Sequence, residues 1–183
     1  MTQYAYPTSD IENPGAWTTE PLYQKIDEEP YDDGDYLISP KSASGKSFTE
    51  GLSGLTDPGV HTGHTLRIRA RASAVSGTIK FELLQGTTVI KDSGDIALGT
   101  AVFEEHFFTL SEGEATNITD YTALRVRITA VATANNKYQW VSWARLEVPD
   151  APVGDIDINK SESVNVDENI DNKMDLDIEL KVG

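Results

Sequence analysis

The chain has no cysteine, no long apolar run and half as many basic as acidic residues. Each shortage excludes something. Without cysteine there are no disulfides, no thiolate metal sites and no cysteine nucleophile. No segment approaches the ~20 apolar residues that carry a helix across a bilayer. The N-terminal run MTQYAYPTSDIENPG lacks the basic and apolar regions of a secretory signal, and with Met1 in place the expectation is an unprocessed product made in the cytoplasm. Fifteen Lys and Arg against thirty Asp and Glu give a formal charge of −15, which disfavours non-specific binding to nucleic acid or anionic membranes. Neither partner is expected.

The charge is uneven. Residues 1–35 hold nine acids and one lysine, and 151–183 hold nine acids and three lysines, while 36–150 are nearly balanced. Five of the six arginines sit at alternate positions in two runs: Arg67, Arg69 and Arg71 in HTLRIRARAS, and Arg125 and Arg127 in ALRVRITAV. Between them lie Leu66, Ile68 and Ala70, and Leu124, Val126 and Ile128. A two-residue period is the mark of a strand with one face on the core and one outside. All five guanidiniums are therefore expected on an outer face, where each cross-strand ion pair adds only ~0.2–1 kcal/mol. The arginine rows read as a charge ladder or as a surface meeting acid, from this chain or a neighbour. The interface residues expected on this ground are Arg67, Arg69, Arg125 and Arg127.

Turn signals separate many short strands. Residues 78–94 read as a hairpin about Gln85-Gly86, and 104–110 and 137–148 as further strands. Ser111 and Glu114 stand at capping-box spacing, which marks a short helical turn. Seven to ten short strands with almost no helix predict an all-β antiparallel two-sheet sandwich, of jelly-roll type. The expected organisation is an extended N-terminal arm at 1–15, the sandwich at 16–149, and a linker with a C-terminal extension at 150–183. In that extension Met174, Leu176, Ile178, Leu180 and Val182 alternate strictly with charged residues. One isolated strand cannot cover its apolar face or satisfy its backbone. It needs its own sandwich or a neighbouring subunit to dock on, and the neighbour is expected.

Chemistry is thinly signalled. Nucleophile motifs and phosphate-cradling glycine loops are absent, so no enzyme is expected. His61 and His64 form an H-x-x-H pair in a Gly/Thr turn, a weak metal signal. Residues 27–35 hold six carboxylates about Gly34. Clustered carboxylates suit calcium, and Asp32, Asp33 and Asp35 are the candidate ligands, although the spacing does not match the D-x-D-x-D-G loop and a solvated acidic loop is the alternative. No other cofactor is indicated. For sugar stacking the candidates are Trp17, Trp140, Trp143, Tyr121 and Tyr138. If Leu146 and Val148 face the core, strand parity puts Trp140 inside and Trp143 outside, where Trp143 suits a protein interface.

The segments LYQKIDEEPYDDGDYLISP, DPGVHTGHTLRIRARAS, FELLQGTTVIKDSG, ITDYTALRVRITAV and VSWARLEVPDAP together resemble a jelly-roll module of structural proteins from tailed bacteriophages, similar to galactose-binding-like sandwiches. The resemblance covers residues 14–152. It implies a non-enzymatic virion protein and carries no functional residues. The expectation drawn from it is a capsid decoration, or cement, protein on the phage head. Its partners would be the major capsid protein and further copies of itself, plausibly as a trimer. The alternative is a host-recognition or carbohydrate-binding module of a tail fibre or baseplate, with a glycan as ligand.

Overall fold

The computed structural model describes residues 2–18, 20–75 and 77–150. Eleven strands run β1 Thr2–Ala5, β2 Pro7–Glu12, β3 Leu37–Ile38, β4 Lys46–Leu52, β5 Thr65–Ala72, β6 Thr78–Gln85, β7 Thr88–Asp92, β8 Ile96–Ala97, β9 Glu104–Thr109, β10 Leu124–Ala132 and β11 Gln139–Pro149. A 3-10 turn lies at Tyr23–Lys25 and one short helix, α1, at Glu112–Ala115. The first sheet has the order β1-β11-β5-β9, with β3 also on β11; the second has β2-β4-β10-β6-β7, with β8 on β6. All pairings are antiparallel. Successive strands alternate between the sheets, apart from β6 to β8, so the chain winds around one core. This is the expected all-β sandwich of jelly-roll type.

The alternation read in the sequence builds that core. Along β5 and β10 every second side chain is buried: Leu66, Ile68, Ala70 and Ala72, then Leu124, Val126, Ile128 and Ala130. Each large side chain so buried adds roughly 1.5–3 kcal/mol. Phe81 of the second sheet stacks on Phe108 of the first at 5.1 Å, and Trp17 packs edge-on against Phe48 at 5.0 Å. The β6–β7 hairpin closes through Gly86 at φ +59°, a backbone state open to glycine at little cost. The capping box forms as expected, with Ser111 and Glu114 each bonding the other's backbone N–H.

Two expectations change. Residues 2–12 are extended, as read, but they are not a free arm: β1 pairs with β11 in one sheet and β2 with β4 in the other. Their apolar anchors Ala5 and Pro7 are buried. The two arginine strands also do not share one outer face, because β5 belongs to the first sheet and β10 to the second. Met174, Leu176, Ile178, Leu180 and Val182 lie outside the described residues.

Candidate functional site

The outer face of the first sheet is organised by a β-bulge. Val141 pairs with Ala70 and Trp143 with Arg69, leaving Ser142 as an extra residue in β11. The bulge resets the alternation, so Trp140 and Trp143 point to the same, outer side. Parity without a bulge had put Trp140 inside; Val141 and Gln139 occupy the core there instead. The outer face thus carries Arg67 beside Arg145, Arg69 beside Trp143, and Arg71 beside Trp140.

Trp143 is on the outer side but is not free, being 3% exposed. The acidic loop 27–35 lies across it. The Trp143 Nε1–H donates to the Glu28 carbonyl at 2.8 Å, and Tyr31 packs edge-on at 6.0 Å. Asp33 accepts two bonds from Arg69, at 3.0 and 2.6 Å, and a third from the Ser142 hydroxyl of the bulge at 2.8 Å. The Arg69 guanidinium lies 3.8 Å from the Tyr31 ring centroid. Bonding by Arg69 holds the Asp33 carboxyl below the usual carboxylate range. Nearby, Arg67 meets Glu105 and Glu147, and Arg145 meets Glu29 and Glu147. On the second sheet Arg127 pairs with Glu82 in two bonds, and Arg125 shows no ion pair among the described residues.

These contacts place the expected calcium ligands apart. Asp33 serves Arg69, Asp35 pairs with Lys25, and Asp32 accepts from the Gly34 N–H within its own turn. Among the described residues no group of three or more His, Asp or Glu side chains is arranged to hold a metal ion. His64 is buried with its Nε2 2.7 Å from the Tyr121 hydroxyl, so it does not join His61 as a surface pair. Burial keeps the His64 imidazole below its ordinary pKa and pushes the Tyr121 phenol up to about 12. Trp17 and Tyr121 are both interior, which removes them as stacking surfaces.

The remaining aromatics form a cleft. It holds about 480 Å³ and lies beside β3, on the outer side of the first sheet. Ile38 pairs with Trp140 on one side and bridges to Thr18 on the other, so Thr18, Ile38 and Trp140 form its floor row. Tyr36 and Tyr138 stand two residues along from Ile38 and Trp140, on the same side of their strands. The Tyr138 and Trp140 rings are 6.4 Å apart at 28°, and Tyr36 stands across Trp140 at 73° and 6.3 Å. Tyr36, Tyr138 and Trp140 are all half-buried. No hydrogen bond to the Tyr36 or Tyr138 hydroxyl is formed among the described residues. A neighbouring hollow of about 420 Å³, sharing Ala16 and Thr18, extends the cleft towards Asn13 and Glu20.

The backbone around the cleft is under strain. Among the described residues, three non-glycine residues have positive φ: Ala16 at 53°, Ser42 at 52° and Asn136 at 57°. Ala16 lines the cleft, Ser42 follows its Pro40, and Asn136 precedes its Tyr138. Each such conformation costs of order 1–3 kcal/mol and gathers at functional sites. The Ser42 and Asn136 turns hold one another: the Asn136 N–H donates to the Ser42 hydroxyl at 2.9 Å, and the Ser42 N–H to the Lys137 carbonyl at 3.1 Å. Sequence reasoning named Tyr138 and Trp140 but missed Tyr36. A tyrosine two residues before Ile38 in a short strand was the available signal.

No family model and no curated protein matches the chain. Several solved structures are similar to it. The C-terminal family 6 carbohydrate-binding module of a laminarinase from Zobellia galactanivorans aligns at 13% identity over 80% of this chain and 98% of that one, with a TM-score of 0.47. A family 4 carbohydrate-binding module aligns at 14% identity over 62% and 71%, with a TM-score of 0.43. A family 29 module aligns at 13% over 82% and 91%, with a TM-score of 0.41. At these scores the likeness has no bearing on which ligand this chain takes.

Proposed function

We propose that the chain is a non-catalytic carbohydrate-binding module that takes sugar rings against Tyr138 and Trp140. The observation that carries this reading is the aromatic cleft itself: three half-buried aromatic residues set at fixed angles around a hollow of oligosaccharide size. Pyranose rings have apolar C–H faces that pack on aromatic faces, and their hydroxyls need polar neighbours. The Tyr36 and Tyr138 phenols and the Thr18 hydroxyl supply those. A mostly apolar hollow with a few placed polar groups is the usual form of a small-molecule site. The cleft lining contains no carboxylate, histidine or lysine, which fits holding a ligand rather than transforming it.

The test is binding of a panel of neutral and acidic oligosaccharides by calorimetry, with Trp140→Ala as the variant. A central aromatic anchor carries at least ~1 kcal/mol, so affinity should fall by about fivefold or more while the fold is kept. Unchanged binding in the variant, or none in the parent, would reject the reading.

A second reading is a virion decoration protein contacting the major capsid protein. It draws on the sequence resemblance to phage modules. It also draws on three exposed aromatics set on arginines of the first sheet's outer face: Tyr4 on Arg145, Tyr31 on Arg69 and Phe107 on Arg67. Tyr and Arg are enriched at interface centres. Triple replacement of Tyr4, Tyr31 and Phe107 by Ser should abolish particle binding under this reading and leave sugar binding intact under the first.

A further inference from the structure

The chain's acid excess is missing from the walls of the cleft. Segments 36–46 and 131–145 supply six of its lining residues, and together they hold Lys41, Lys46, Lys137 and Arg145 without one Asp or Glu. In a protein with twice as many acids as bases, two adjacent acid-free walls are a distinct local field. Low-dielectric aromatic walls concentrate such a field on whatever enters.

Two cations lie outside the cleft's lining but against its aromatic rings. Arg71 stands beside Trp140 across the β5–β11 pairing, with its guanidinium 4.3 Å from the Trp140 ring centroid and 4.9 Å from that of Phe103. Arg67 and Arg69, on the same strand, each meet a carboxylate. Arg71 has none within ion-pair distance among the described residues, and its Nε is buried without a hydrogen-bond partner. Lys41 lies at the other end, its ammonium 5.7 Å from the Tyr138 ring centroid. It too has no ion pair among the described residues. A guanidinium and an ammonium thus bracket the two stacking rings.

We propose that the cleft selects an acidic glycan: a uronate-type oligosaccharide whose rings pack on Tyr138 and Trp140 while its carboxylates meet Arg71 and Lys41. This rests on the carbohydrate reading above and names its ligand class. The planar guanidinium fork fits a carboxylate in a way a neutral hydroxyl does not exploit. A neutral sugar would leave both cations without an ion-pair partner among the described residues.

The experiment titrates the full chain with oligogalacturonate and, separately, with cellohexaose, by calorimetry at low and moderate salt. Oligogalacturonate should bind more tightly and lose affinity with salt. Lys41→Gln with Arg71→Gln should weaken it by about tenfold or more, the scale of a charge-assisted bond. Because Arg71 also braces Trp140, Lys41→Gln alone serves as a variant remote from that ring, and near-ultraviolet circular dichroism reports the tryptophan environment in both. Tighter binding of cellohexaose than of oligogalacturonate, or no effect of either charge variant, overturns the acidic-ligand inference and leaves the carbohydrate reading standing. Failure of both oligosaccharides to bind overturns both.

Discussion

Glu50 offers the sharpest test of the physical reading of this fold. It lies in β4, opposite Val126 of β10 and Asp10 of β2, and shares the inward side with Phe48. It is 0% exposed, and neither carboxyl oxygen has a hydrogen-bond partner. Burial, reinforced by the negative charge of Asp10, raises its pKa from 4.5 to about 9. The folded protein therefore holds a neutral Glu50 at pH 7, while the unfolded chain releases the proton. Below about pH 4.5 both states are protonated and the group costs nothing by this route; as pH rises towards 9 the unfolded state gains steadily. At ~1.4 kcal/mol per pH unit this amounts to roughly 3 kcal/mol at pH 7 and roughly 5 at pH 8.5. Glu50→Gln keeps the shape and removes the titration. Urea denaturation should show the variant more stable than the parent by about 3 kcal/mol at pH 7. The gap should widen at pH 8.5 and close near pH 4. In a thermal scan the neutral-pH gain corresponds to on the order of 10 °C. A stability difference that does not change between pH 4 and 8.5 would refute the reasoning, since it would mean that Glu50 ionises alike in both states.

Asp33→Asn should release the 27–35 loop from Arg69 and Ser142, costing about 1–2 kcal/mol and exposing Trp143, read as a red shift in its fluorescence. The Asp33 carboxyl is held below its ordinary 3.8, so its contribution is present above that pH and fades as pH falls through the folded value; the variant should lack that acid-range loss. Ser111→Ala removes the cap of α1 and should cost about 1 kcal/mol in urea. Because Asp32, Asp33 and Asp35 each have other engagements, millimolar calcium or chelator should leave the melting temperature unchanged; a rise with calcium would restore the acidic loop as a metal site.

The alternation in β5 and β10 was legible because each strand has one face on the core and one outside, so hydrophobicity reports orientation directly. The capping box and the β6–β7 turn were legible because both are set by local chemistry. The aromatic cleft was not. Its geometry depends on the bulge at Ser142, which inverts the parity of everything N-terminal to it in β11, and a single extra residue leaves no mark in composition. The fate of Asp33 was hidden for a related reason. Its partners Arg69 and Ser142 are 36 and 109 residues away, and a clustered acidic loop looks alike whether it binds calcium or an arginine row. That loop answers part of the question the arginines raise: within the described residues, much of the acid that Arg67, Arg69 and Arg145 face belongs to their own chain.

The central claim is that the cleft beside β3 binds an acidic glycan. An amide NMR titration of the full chain with oligogalacturonate tests it most directly. The account predicts saturable shifts confined to residues 16–18, 36–41, 71 and 136–140, lost in Trp140→Ala. Shifts centred elsewhere, or none at millimolar ligand, would contradict it.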